Sequence, residues 1–159
     1  MQGAYLYNLI NVRAGSKMLC QALELNAYMR IQDYLIEEAP NSTQLAEEEY
    51  KNFHNDLSSV KDNNTPLMPF TAKEVESFTD EGIASIPWVA VHMLEALCPG
   101  DAETIIYKRL KESVASKWRI PRPDGVAMKD SFDYIYNKWT SENRFWIEKF
   151  NNSFSEPSS

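Results

Sequence analysis

The stretch that decides the fold is residues 87–97, which has the sequence PWVAVHMLEAL. Only His92 and Glu95 are polar in it, so a helix formed by these residues has no polar face. A helix that is apolar on every side must be covered by neighbouring elements. Pro87 suits the first turn of such a helix. We therefore predict a central, buried helix with other helices packed around it.

Helical periodicity extends through most of the remaining chain. Apolar residues recur every three or four positions, which is the spacing of one helix face. The segments with this spacing are residues 16–38, 42–61, 102–118 and 130–150. Thr71 and Glu74 form a capping box that begins a further short helix ending near Gly82. The sequence predicts a mainly α fold, a compact bundle of about five to six helices, with residues 1–150 as a single domain.

Two segments depart from this pattern. Residues 4–12 are the one stretch that could form a short N-terminal strand, although their polar and apolar residues do not alternate cleanly. Residues 151–159 are polar and end with the sequence EPSS, so we expect a flexible tail there.

Composition excludes several classes of protein. The 159 residues include 16 Lys and Arg against 23 Asp and Glu, a formal net charge of −7. Nucleic-acid binding is disfavoured because phosphate contacts need clustered cations. Two cysteines are too few for a disulfide framework. Since the chain has neither a membrane-spanning apolar run nor a signal-peptide pattern, we expect a soluble, cytoplasmic protein.

The turn at residues 13–17, with the sequence RAGSK, is the first candidate site. A strand, a small-residue turn and a helix N-terminus together present backbone N–H groups and a helix dipole to an anion. Ser16 and Lys17 could add side-chain contacts. The glycine spacing of a Walker A motif is missing. The alternative is an ordinary helix start, with Gly15 in the turn and Ser16 as the N-cap.

Residues 4–35, which include this turn, resemble the N-terminal strand, loop and helix of bacterial sulfotransferases. In that family the loop holds the 5′-phosphosulfate of the donor nucleotide, and its usual sequence is similar to RSGSTLL. Ala14 and Lys17 depart from that pattern. The resemblance implies a small nucleotide-binding enzyme. The residues that would line its phosphate pocket are Arg13, Gly15, Ser16 and Lys17.

A basic stretch is the second candidate site. Its cations are Lys108, Arg109, Lys111, Lys117, Arg119 and Arg122, and Glu112 is the one acid among them. Trp118 lies within the stretch, and Pro121 and Pro123 stiffen its end. Arginines beside an exposed tryptophan would suit an acidic or phosphorylated partner, so Trp118, Arg119 and Arg122 are candidate partner-binding residues. Alternatively, Trp118 packs inward and the cations form a solvated helix face.

The last predicted helix is rich in aromatic residues, and Trp139, Phe145, Trp146 and Phe150 spread over more than half of its circumference. If one domain does not cover them all, the surplus marks a docking or dimer surface. Trp139, Trp146 and Phe150 are the candidates for that surface. If the domain does cover them, they are core residues.

A metal or haem carrier is a third class of function. His92 and Glu95 lie one helical turn apart and could supply two ligands, as in helical carboxylate bundles. A metal site needs three or four converging ligands, and the only other histidine, His54, lies on a different predicted helix. The favoured alternative is therefore that His92 is a buried histidine with its hydrogen bonds satisfied, and we expect no metal and no cofactor.

The leading hypothesis is a non-enzymatic helical domain with an interaction or regulatory role. No nucleophile motif or acid–base pair stands out as catalytic. The partner is then another protein, or a second copy that associates through the aromatic C-terminal helix. The alternative is a small nucleotide-binding or sulfotransferase-like enzyme that uses residues 13–17. A parallel sheet with the first strand at its centre favours the enzyme, and a bundle of helices favours the binding domain.

Overall fold

The computed structural model describes residues 3–113 and 120–155. These residues form eight α-helices and one short 3₁₀ turn, and no β-strand occurs among them, so the predicted mainly α fold is confirmed. The helices are α1 (Gly3–Arg13), α2 (Gly15–Glu37), α3 (Ser42–Lys61), α4 (Ala72–Glu76), α5 (Asp80–Ser85), α6 (Trp88–Ala96), α7 (Asp101–Glu112) and α8 (Ser131–Ser155). The 3₁₀ turn, Met128–Asp130, leads directly into α8. No helix in the described ranges is both long enough and apolar enough to cross a membrane.

The central helix is α6, as the sequence predicts. Every residue of α6 after Trp88 is buried. Helices α1, α2, α7 and α8 all contact it. Their apolar faces close the main hydrophobic cluster around α6, to which Ile10, Ile106 and Phe132 contribute fully buried side chains. A helix as apolar as α6 is stable in water only with such a cover, because each buried aliphatic side chain contributes about 1.5–3 kcal/mol.

The expectation of a strand at residues 4–12 is wrong, because these residues belong to α1. Leu6, Ile10 and Ala14 are four positions apart and lie buried in the main cluster. A spacing of four places residues on one face of a helix, and it also places them on one face of a strand. The spacing alone therefore does not distinguish the two structures. Helix α1 packs against α5 and α6, and these contacts favour the helix over the strand. The periodicity of so short a segment does not reveal them.

A second hydrophobic cluster lies between α2, α3 and α8. Its buried members include Tyr28, Ile31 and Phe53, and the rings of Tyr28 and Phe53 meet edge to face with centroids 5.8 Å apart. A short turn connects α2 to α3, and the two helices pack against each other. Trp139 of α8 packs against both clusters and so links them.

Several predicted boundaries move. The helix expected from Thr71 to Gly82 is two short helices, each with its own N-cap. Thr71 forms the predicted capping box with Glu74, and Thr79 accepts a hydrogen bond from the Gly82 N–H. Helix α7 ends at Glu112, and residues 114–118 of the predicted helix lie outside the described residues.

Helix α8 continues to Ser155, so residues 151–155 are helical where we expected a loose tail. The Tyr28 hydroxyl donates a hydrogen bond of 2.7 Å to the side chain of Asn151, and the ring of Phe154 stacks on that of Tyr50. These contacts with α2 and α3 account for the longer helix.

Candidate functional site

A groove of about 430 Å³ runs beside the second half of α7. Tyr107 and Lys111 lie one helical turn apart on α7 and form one wall. The other wall is the loop at residues 121–126, which includes two prolines and Arg122. Glu95 of α6 and Met128 also line the groove. The residues thus come from three places in the chain that only the fold brings together.

Positive charge is concentrated in this part of an acidic chain. Residues 108–122 hold six of the 16 Lys and Arg but only one of the 23 Asp and Glu. The ion pairs formed between described residues do not include Lys108, Lys111 or Arg122. Arg109 differs, because it forms an ion pair of 2.9 Å with Asp80 and donates to the Val75 carbonyl at 2.9 Å. It holds α7 against α4 and α5 and is not part of the groove.

Two carboxylates also line the groove. Asp124 is exposed in the loop, whereas Glu95 is only 2% exposed. Burial and, to a smaller extent, the charge of Glu95 raise the pKa of the neighbouring Cys98 thiol to about 12. Cys98 therefore stays protonated at neutral pH and is unsuited to act as a nucleophile.

His92 fixes the start of the loop. Its ring is buried against the Trp88 ring, with centroids 5.7 Å apart, and its Nε2 accepts a hydrogen bond of 3.3 Å from the Ile120 N–H. His92 is thus a buried histidine with a hydrogen-bond partner, which is the alternative to a metal ligand that the sequence favoured. The sequence did not show that this partner is the start of the loop at Ile120. No group of three or more metal-ligating side chains occurs within residues 3–113 and 120–155.

Of the three residues predicted to bind a partner from the basic stretch, the groove includes Arg122. Trp118 and Arg119 lie outside the described residues. Sequence reasoning missed Tyr107, which is 45% exposed on the groove wall. Its position four residues before Lys111, on the helix that begins the basic stretch, was the signal that could have identified it.

The turn at residues 13–17 does not present its cations together. Arg13 forms a two-pronged ion pair with Glu74, one contact of which is 3.3 Å. Its guanidinium also lies 4.9 Å from the centre of the Phe70 ring. The hydrogen bonds from Arg13 lower the pKa of Glu74 below its ordinary value. Arg13 thus joins α1 to α4.

The N-terminus of α2 is occupied by another part of the chain. The Ser16 N–H donates to the Thr65 carbonyl at 2.8 Å, and the Thr65 N–H donates to the Ser16 hydroxyl at 2.6 Å. Gly15 adopts a left-handed conformation (φ 74°), and a Cβ there would lie 2.6 Å from the Leu67 nitrogen. Lys17 is exposed and lines a different groove of about 370 Å³ with Gly15 and Lys129. Gly15 thus shares this groove with Lys17 and a second one with Ser16, and neither groove contains all four predicted anion-binding residues.

The aromatic residues of α8 are mostly in contact with the protein itself. Trp146 meets Tyr28 edge to face at 5.9 Å, and its Nε1 donates a hydrogen bond of 2.8 Å to Asn143. Phe150 meets Tyr50 at 5.6 Å, and Trp139 links the two clusters. Phe145 differs from these three residues, because 83% of its surface is exposed.

Comparisons of the chain with protein-family models, with curated proteins and with solved structures give no match, so no relative supplies a function for it.

Proposed function

We propose that this chain is a non-enzymatic helical domain that binds an acidic segment of another protein through the groove beside α7. The observation that supports the proposal is the separation of charge. Residues outside 108–122 hold ten Lys and Arg against 22 Asp and Glu, whereas residues 108–122 hold six against one. The groove takes Lys111 and Arg122 from this segment and is also lined by Glu95 and Asp124. A basic segment of this kind attracts an acidic partner.

The groove suits a peptide segment rather than a flat contact. Lys111 and Arg122 have no ion pair of their own within the described residues, so they can pair with carboxylates or phosphates of a partner. Tyr107 offers an apolar ring with a polar tip, a residue type enriched at binding hot spots. Pro121 and Pro123 stiffen the opposite wall, which lowers the entropy lost when the groove is filled.

Two observations argue against the nucleotide-binding alternative, which stays a prediction. Residues 3–13 form a helix, whereas a sulfotransferase-like site needs a strand there. In addition, the Ser16 N–H at the start of α2 already donates a hydrogen bond to the Thr65 carbonyl, so it is not available to a phosphate. Self-association through α8 is a further proposal, which would use Phe145. We also propose a cytoplasmic location, which the two free cysteines favour.

The test is fluorescence anisotropy with a labelled short polyglutamate peptide. We expect the intact protein to bind it at low salt and to release it as ionic strength rises, because exposed charge pairs are screened. The double variant Lys111→Glu/Arg122→Glu should weaken binding by at least about tenfold.

The matched control is Arg144→Glu/Lys149→Glu, which makes the same change of charge at exposed positions of α8 outside the groove. It should bind polyglutamate more tightly than the groove variant does. Equal losses in the two variants would show a general charge effect, and no binding by the intact protein at low salt would reject the groove as an acidic-peptide site.

A further inference from the structure

A second exposed surface lies between α3 and α4, in the proline segment, which we define as residues 64–69. It contains no helix and no strand, and every residue in it is exposed. Its sequence is NTPLMP, with Pro66 and Pro69 three positions apart. Leu67 and Met68 between them are 44% and 48% exposed. Two adjacent apolar side chains are thus held in solvent on a segment without regular structure.

The spacing of the prolines has a physical meaning. The polyproline II conformation has three residues per turn, so residues three apart lie on the same side of it. Proline lacks a backbone N–H and has a fixed φ, which makes such a segment a low-entropy ligand. Aromatic-lined grooves of SH3-type domains recognise segments of the form Pro-x-x-Pro in this way.

The body of the protein holds the segment in place. Thr65 exchanges two hydrogen bonds with Ser16, and the Met68 N–H donates to the Arg13 carbonyl at 2.8 Å. Arg13 also donates to the Pro69 carbonyl at 3.3 Å. The close approach requires Gly15, since any Cβ would meet the Leu67 backbone. A tethered segment loses less entropy on binding than a free one does, so these contacts favour docking.

The surroundings of the segment suggest the charge of its partner. Pro66 and Leu67 line the groove of about 370 Å³ that also contains Lys17 and Lys129, together with one carboxylate, Asp133. Lys17 and Lys129 are exposed and form no ion pair within the described residues. An acidic rim on the partner would complement the two lysines.

We propose that residues 66–69 are a docking segment for a second protein, one with an aromatic-lined groove of the SH3 type and an acidic rim. The proposal is independent of the groove beside α7, because it uses other residues and another class of partner. The two surfaces together would let the domain connect two proteins.

The test is binding of the full chain to a panel of purified SH3-type domains by biolayer interferometry. We expect at least one domain to bind the intact protein, and Pro66→Ala/Pro69→Ala to weaken that binding by at least about tenfold. The matched control is Pro40→Ala, which removes an exposed proline from the turn between α2 and α3 and should leave SH3 binding unchanged. Thermal unfolding of both variants checks that each remains folded.

A second measurement covers the case in which the proline variant does not fold. Methyl NMR of the intact protein should show the largest shift changes at Leu67 and Met68 when the bound domain is added. The proposal is overturned if no domain in the panel binds, if the two proline variants behave alike, or if the shifts fall elsewhere. Because polyglutamate binding is measured separately, failure here leaves the groove beside α7 untouched.

Discussion

The α1–α2 junction and the groove beside α7 are similar as sequences and opposite as structures. Each has cations next to a loop with a glycine. At the junction Arg13 is engaged by Glu74, and the Ser16 amide by Thr65. At the groove Lys111 and Arg122 have no such partner in the described ranges. A cation can contribute either to folding or to binding, and the contacts across the fold decide which.

The largest expected effect tests the close packing at the junction. Gly15→Ala should destabilise the protein by about 3–5 kcal/mol, because the left-handed backbone is strained for alanine and the new Cβ meets the Leu67 backbone. Gly125 in the groove loop also has a positive φ, of 89°, but nothing lies within 4 Å of its Cβ position. Gly125→Ala should therefore cost only about 1–2 kcal/mol. Urea denaturation of both variants measures the difference, and equal losses would contradict the contrast.

The second prediction compares the loss of stability when one arginine from each region is replaced by alanine. Arg13→Ala should cost about 1–3 kcal/mol, since it leaves the Glu74 carboxylate without its ion pair and removes the contact with Phe70. Arg122→Ala should change the free energy of unfolding by less than about 0.5 kcal/mol, as surface substitutions usually do. Chemical denaturation is again the measurement. A large loss from Arg122→Ala would mean that this side chain also has a structural role.

The smallest effect is in the pH dependence. Arg13 lowers the pKa of Glu74 in the folded state, so ionised Glu74 stabilises the fold above its ordinary pKa of 4.5. That contribution is lost as the pH falls through the lower folded value. Melting temperatures measured from pH 7 downward should fall less for Glu74→Gln than for the intact protein over this acidic range. Parallel curves for the two proteins would show that the Arg13–Glu74 pair has no net effect on stability.

Local signals were enough for much of the fold. The apolar sequence of α6 required a central position, the capping box marked α4, and residues 16–38 closely match α2. These features depend on neighbours within a few positions. The candidate sites were less predictable. The chemistry of Arg122 was visible in the basic stretch, but Tyr107 and Glu95 join it only because α6, α7 and the loop converge.

By itself the sequence determined the helical class, the buried helix at its centre and the uneven distribution of charge, because periodicity, capping and composition act locally or additively. Tertiary structure decided the rest. It made residues 3–13 a helix through burial of Leu6 and Ile10, and it made Trp146 and Phe150 packing residues through contacts with α2 and α3. It also placed Thr65 on the start of α2, and Glu74 on Arg13 from 61 positions away. Periodicity does not reveal such distant pairings, because their free energy exists only once the chain has closed around them.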